Sequence, residues 1–173
     1  YRMEKYERFE SGELLSMDSL DLPDSLKYYT RLKKRIVYGG GGIVPDVFVP
    51  IDTTSNSSTF RTLLRKGLMS RYALEFIDNN RANILKDFPS EDRFVNDYVI
   101  SEIEVEKFKV WAESQGTEDS PVEISDEDWA ISGVAIILRL KAFMGRNAYE
   151  SSTFYRVIGD LNESLQEAVR ILN

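Results

Sequence analysis

The chain has 173 residues, a formal net charge of −7 at pH 7, and neither cysteine nor histidine. Without thiol and imidazole groups, the sequence cannot form a cysteine nucleophile, a disulfide, a zinc site built on those ligands or a Ser-His-Asp triad. The negative charge argues against a nucleic-acid partner. No apolar run approaches the roughly 18 residues that span a bilayer.

A polar stretch divides the sequence into two parts. Residues 53–59 are seven small polar residues in a row, a composition typical of a boundary. We predict a strand and turn segment over residues 1–52 and a helical domain over residues 53–173. The predicted fold class is mainly α, a helical bundle preceded by a small β-hairpin and irregular segment.

The first part contains a candidate hairpin. Residues 26–30 and 35–38 are rich in aromatic and β-branched side chains, and residues 31–34 between them can turn the chain. Residues 47–50 form a third short extended candidate, which Pro50 ends because proline cannot donate to a strand ladder.

The apolar period becomes helical after Ser58. The pattern predicts one long amphipathic helix over residues 58–86, then a short helix over residues 91–97. Ser101 and Glu104 have the spacing of a capping box that opens a helix reaching Ser114. The side chains expected on the buried faces of the long helix and the capped helix are Phe60, Leu63, Leu64, Leu68, Tyr72, Phe76, Ile77, Val105, Phe108, Trp111 and Ala112.

Two further helices are predicted toward the end of the sequence. Ser125 is the expected cap of an apolar helix over residues 129–145, and a last helix carries apolar residues at alternating spacings of four and three. Such a stripe is typical of a packing seam. The expected buried positions are Val134, Ile137, Leu138 and Ala142 in the first helix, and Phe154, Ile158, Leu161, Leu165, Ala168 and Leu172 in the second.

Residues 115–128 are acidic and contain no basic residue. We interpret them as a solvated loop whose last carboxylates lie at the positive end of the next helix. A Ca²⁺ site is an alternative, although the twelve-residue loop pattern with its central glycine is absent.

Three short patterns carry the residue types of a reactive or binding site, and each has a simpler interpretation. The run Gly39 to Gly42 could surround a phosphate, but no Gly-Lys-Ser/Thr ending follows, so a tight turn between strands is favoured. Ser25 and Lys27 have the residue types of a Ser/Lys dyad without further support. Asp126 and Asp128 lie in an exposed, charged context that does not favour glycoside hydrolysis. No self-contained active site, catalytic residue, metal site or cofactor is predicted.

The segment from residue 25 to residue 50 resembles the carboxyl-terminal processing peptidases, also called tail-specific proteases. The resemblance rests on Tyr-Thr at 29–30, Arg-Ile-Val-Tyr at 35–38 and the glycine-rich turn that follows. Residues 140–146 and 154–157 resemble the terminal helical region of an envelope-associated bacterial subgroup more loosely. The turn motif comprises Gly39, Gly40, Gly41, Gly42, Ile43, Pro45 and Asp46.

The resemblance implies a serine peptidase that cleaves proteins near their C-termini with a Ser/Lys dyad and no cofactor. In that family the dyad and a peptide-binding PDZ module precede the matched region, so the resemblance assigns no catalytic position here. It implies a C-terminal fragment in the cell envelope or periplasm, whose partners are the core and PDZ module of the same polypeptide. Protein or peptide substrates and a homo-oligomer are further possible partners. The alternative is a non-enzymatic helical interaction module.

Overall fold

The computed structural model describes residues 25, 27–34, 36–38, 47–50 and 56–172. Contacts between Cα atoms cluster into two units, Tyr1–Asp52 and Thr53–Asn173. The described part contains a two-stranded hairpin followed by seven α-helices, which confirms the mainly α fold class. None of its helices is both long and apolar enough to cross a bilayer.

The hairpin joins β1 (Lys27–Tyr29) to β2 (Ile36–Tyr38) in antiparallel register, with Tyr28 opposite Val37. The turn closes through Lys34, whose amide donates to the Thr30 carbonyl over 3.2 Å. This hairpin confirms the predicted one, with its strands over residues 27–29 and 36–38. The third extended candidate forms no strand with any of the described residues, since residues 47–50 pair with none of them.

The predicted long helix is wrong, because the chain forms two helices there. α1 (Ser58–Arg65) ends before Gly67, which has a left-handed φ of 65°, and α2 (Leu68–Asp87) begins after it. A left-handed residue interrupts the helical hydrogen bonds, and glycine adopts it without strain. The apolar stripe nevertheless continues across the break, although Leu64 is exposed.

The next two helices have the predicted bounds. In α3 (Glu91–Asp97) the Ser90 hydroxyl accepts from the Arg93 amide, and in α4 (Glu102–Ser114) the Ser101 hydroxyl accepts from the Glu104 amide. Each cap satisfies a helical N–H that has no partner within the helix. Both helices contribute fully buried rings to one core, Phe94 and Phe108.

α5 (Asp126–Ala148) is capped by Ser125 as predicted, but its buried face differs from the predicted stripe. Val134 is 79% exposed. α5 packs against both α2 and α6 (Ser151–Ile158), so its apolar surface is wider than one stripe. The buried positions are Ser132, Gly133, Ile136, Leu140, Ala142, Met144, Gly145 and Ala148.

The predicted continuous last helix is also wrong. After α6 the chain forms a 3₁₀ turn (Gly159–Leu161), and α7 (Glu163–Leu172) begins where the Asn162 side chain accepts from the Leu165 amide. This new cap explains the restart, since Asn bonds amides at helix N-termini. α7 has no buried residue, so Leu165 and Leu172 form no packing seam within the described chain.

Candidate functional site

The residues of the peptidase-like turn motif lie outside the described part of the chain. They are Gly39, Gly40, Gly41, Gly42, Ile43, Pro45 and Asp46, and their assignment stays a prediction. Ser25 is described and exposed. An activated hydroxyl needs a nearby base, usually in a partly desolvated setting, so this exposure gives the Ser25 and Lys27 dyad no support.

The starts of α1 and α5 are joined by a polar cluster that we call the α1–α5 tie, consisting of Ser57, Ser58, Thr59, Asp128 and Ser132. Asp128 Oδ2 accepts from Ser58 Oγ (2.6 Å), from the Thr59 amide (2.9 Å) and from Thr59 Oγ1 (2.9 Å). The Ser57 amide donates to Ser132 Oγ over 2.9 Å. One carboxylate of α5 therefore caps α1 and lies at its positive end.

The tie corrects the interpretation of the acidic segment. Asp128 lies in the first turn of α5, as expected, but it also bonds α1 rather than only water. The Ser58 hydroxyl and then the Thr59 amide hold the pKa of Asp128 below its ordinary value. A glycosidase acid needs a raised pKa, so this geometry fits a structural carboxylate.

The acidic segment gains no metal site from the fold. Over the described ranges, no three acidic side chains are arranged to hold a metal ion. The calcium alternative therefore finds no support in this part of the chain.

A second polar contact joins α2 to α4. The Tyr72 hydroxyl donates to Glu104, and the ammonium of Lys107 lies 3.3 Å from the other oxygen of that carboxylate. The second bond of the predicted capping box, from the Ser101 amide to the Glu104 carboxylate, is therefore absent, because the Glu104 side chain accepts from Tyr72 instead. Burial, and then the bond to Glu104, raises the pKa of Tyr72 above its ordinary value.

The Tyr72 ring also positions Trp111. Their ring centroids are 5.2 Å apart at 61°, and the Arg71 guanidinium lies 5.7 Å from the indole centroid. Arg71 in turn donates to Gln115 Oε1 over 3.0 Å. Trp111 was expected in the core, but it is only half-buried, and its ring is held between Tyr72 and Arg71 at the surface.

Trp111 lies within an exposed apolar surface of the helical unit. Ile103 and Val110 of α4 are 72% and 68% exposed, and Leu74 of α2 is 49% exposed. Charged side chains line the same region. We call it the Trp111 surface and define it by Arg71, Leu74, Glu75, Asp78, Glu102, Ile103, Glu106, Lys107, Val110 and Trp111.

Sequence reasoning missed the α1–α5 tie and the Trp111 surface. The sequence signal for the surface is the pair Ile103 and Val110, seven residues apart and off the core stripe of α4. The signal for the tie is weaker, because nothing in the local sequence pairs Thr59 with a carboxylate 69 residues away. Both features depend on which helices become neighbours.

Comparison with known proteins places the chain in a family. Residues 59–150 match a family of unknown function (DUF8443), and because this match covers more than half of the sequence, the chain belongs to that family. No curated protein and no solved structure matches it significantly.

Proposed function

We propose that the chain is the C-terminal region of a Ser/Lys-dyad peptidase and that its helical unit serves as a docking module. The observation that carries the peptidase assignment is the segment Arg35-Ile36-Val37-Tyr38 with the glycine-rich turn through Asp46. The catalytic core of the same polypeptide supplies the chemistry, and its PDZ module binds the peptide. The protein acts in the cell envelope on protein or peptide substrates.

The docking role is supported by how the helical unit uses its side chains. Its polar groups at the α1–α5 tie and at Tyr72 bond other parts of the same unit. By contrast, Ile103 and Val110 expose large apolar areas, which mark interaction sites when they are contiguous. An architectural role, such as control of substrate access or oligomerisation, fits this distribution better than bond cleavage within the unit.

A non-enzymatic interaction module is the second candidate, and one observation favours it. The family match covers residues 59–150, which lie within the helical unit and exclude the hairpin and the turn motif. A helical unit that recurs without the motif would bind partners in proteins that cleave nothing.

The deciding experiment restores the sequence upstream of residue 1 in the parent reading frame. We expect it to encode a serine and a lysine that form a dyad. The extended protein should then shorten a reporter with an unstructured C-terminal tail, and alanine at that serine should abolish cleavage. The 173-residue chain should leave the same reporter intact.

Two results would contradict this proposal. One is an upstream sequence without an intact dyad, which would favour the interaction module. The other is cleavage by the 173-residue chain alone that disappears in Ser25→Ala, which would place a nucleophile where we assign none.

A further inference from the structure

We propose that the Trp111 surface binds an amphipathic helix of a partner protein whose apolar face is bordered by lysine and arginine side chains. This inference rests on the proposed docking role of the helical unit and identifies the chemistry of its partner. It does not require the peptidase assignment.

The first argument is the shape of the apolar strip, the part of the Trp111 surface formed by Ile103, Val110, Trp111 and Leu74. With 3.6 residues per turn, Ile103 and Val110 lie within about 20° of each other on α4, and the stem of Lys107 lies between them. Trp111 is turned from this line toward α2, where Leu74 is also exposed. The strip therefore runs along α4 and widens toward α2, as in sites where one helix packs into the groove beside another.

The second argument is the charge on both sides of the strip. Glu102 and Glu106 lie on the side of α4 away from α2, whereas Glu75 and Asp78 lie on α2. Glu75 and Glu102 form no ion pair with the described residues. Among the residues that the structure describes, Asp78 pairs with Arg81 at 3.6 Å and Glu106 pairs with Lys109 at 2.8 Å, each a neighbour on its own helix. Exposed pairs of this kind contribute under about 1 kcal/mol and can exchange partners.

The two cations of the surface do not cancel these carboxylates. Lys107 bonds Glu104, and Arg71 lies over the Trp111 ring and bonds Gln115. The strip is therefore bordered by carboxylates on both long sides. A partner with lysine or arginine beside its apolar residues meets opposite charges in both rows, which favours its binding over that of an acidic helix.

The third argument is that Trp111, the aromatic side chain that would contact the partner, is already held in position. Trp111 is held by an edge contact to Tyr72 and by Arg71, so binding does not have to order its side chain. Fixed aromatic residues at the centre of an interface frequently supply much of its binding energy. The seven steps along α4 from Ile103 to Val110 span about 10 Å, which matches about two turns of a partner helix.

The test uses two synthetic 14-residue peptides with the full 173-residue chain. One places leucine on one face and lysine on the other, and its twin carries glutamate in place of lysine. Calorimetry should show saturable one-to-one binding of the lysine peptide and at least tenfold weaker binding of the glutamate twin.

Two matched variants separate docking from general attraction to an acidic protein. Val110→Asp lies in the strip, and Val134→Asp lies on α5 outside it, at a similar exposure. Each variant adds one negative charge, so a general attraction of the lysine peptide to an acidic protein would strengthen binding to both variants. We expect Val110→Asp to weaken the lysine peptide at least tenfold and Val134→Asp to leave it unchanged. Ile103→Asp repeats the test if Val110→Asp alters the circular dichroism spectrum.

Several outcomes would overturn the proposal. They are no binding of the lysine peptide, equal binding of both peptides, and equal effects of the two aspartate variants. A dimer of the chain that Val110→Asp dissociates would assign the strip to a second copy instead. An upstream sequence without a dyad would refute the peptidase assignment and leave these binding results unaffected.

Discussion

Thr59 is 2% exposed, and its hydroxyl lies within hydrogen-bond distance of both Asp128 Oδ2 and the Glu123 carbonyl. Thr59→Val keeps the shape of the side chain but removes this donor. Asp128 Oδ2 keeps its bonds to Ser58 Oγ and the Thr59 amide, so the substitution costs one hydrogen bond to a charged group. We expect the free energy of unfolding to fall by about 1–3 kcal/mol, the usual effect of losing such a bond. Urea unfolding followed by circular dichroism measures it.

Thr62→Val is the matched control for this prediction. Thr62 lies on the same helix and is half-buried, and its hydroxyl bonds nothing in the described chain. Its replacement should change stability by less than about 0.5 kcal/mol. Equal losses in the two variants would show that the Thr59 hydroxyl contributes nothing through the tie.

Tyr98 makes stability depend on alkaline pH. Its ring stacks on Phe94 with the ring centroids 4.7 Å apart, and its hydroxyl donates to the sulfur of Met144 at 3.8 Å. Burial, with a smaller effect of the Glu104 charge, raises the pKa of Tyr98 from 10 to about 12. The folded state therefore holds the proton more tightly, so this stabilisation is complete below pH 10 and is lost as the pH rises to 12.

Tyr98→Phe should reduce this alkaline dependence. We expect the free energy of unfolding of this variant to change little at pH 7. Between pH 10 and 12 the variant should lose less of that free energy than the wild type, by on the order of 2 kcal/mol. Urea midpoints at pH 8, 10, 11 and 12 measure the difference. Tyr155→Phe is the control, since that side chain is 70% exposed. Parallel pH profiles for wild type and Tyr98→Phe would contradict the prediction.

At the scale of elements, Gly145 sets how closely α5 approaches α3 and α6. A Cβ at this position would lie 2.6 Å from Thr153 Cγ2 and 2.9 Å from Phe94 Cε1. Gly145→Ala should therefore lower stability by about 1–3 kcal/mol through overpacking, although alanine is the better helix former. The thermal unfolding midpoint measures the loss.

Gly159→Ala provides the comparison for the Gly145 substitution. There the nearest neighbour of an added Cβ is Leu165 Cδ2 at 3.5 Å, an ordinary contact. We expect a neutral or slightly positive change in the midpoint. If both alanine variants behave alike, close packing at Gly145 is not what limits the approach of the helices.

Local signals predicted the elements that depend on local interactions. α3 and α4 have the expected bounds because Ser90 and Ser101 bond amides three residues later in the chain. The breaks at Gly67 and after Ile158 were missed, because the apolar period continues across each of them. The spacing of apolar residues shows which of them share a face. A single left-handed residue or a new cap ends one helix and starts another without changing that spacing.

The candidate site was less predictable than the elements, for a physical reason. Whether Val134 is buried depends on how many helices surround α5, and whether Trp111 is buried depends on how many surround α4. A local sequence pattern does not predict how many neighbours a helix has. Asp128 was placed correctly at a helix start, but its bond to Thr59 requires two distant segments to meet. The spacing of Ile103 and Val110 signals an apolar strip, but that the strip is exposed follows only from the packing of α4.

At the scale of the molecule, the contact clusters predict that the helical unit folds without the first 55 residues. The chain truncated to residues 56–173 should unfold in one cooperative transition. Its midpoint should lie within about 4 °C of the full chain, the shift that roughly 1 kcal/mol produces at this size. Calorimetry of both proteins measures it. A broad transition, or a much lower midpoint, would show that residues 1–55 complete the helical core.

The distance along the chain between Thr59 and Asp128 matters during translation. A ribosome that adds about 5–20 residues per second needs roughly 3 to 14 s to pass from one to the other. During that interval the nascent α1 has no α5 to cover its apolar side. Phe60 and Leu63 are therefore available to a chaperone until α5 has been synthesised.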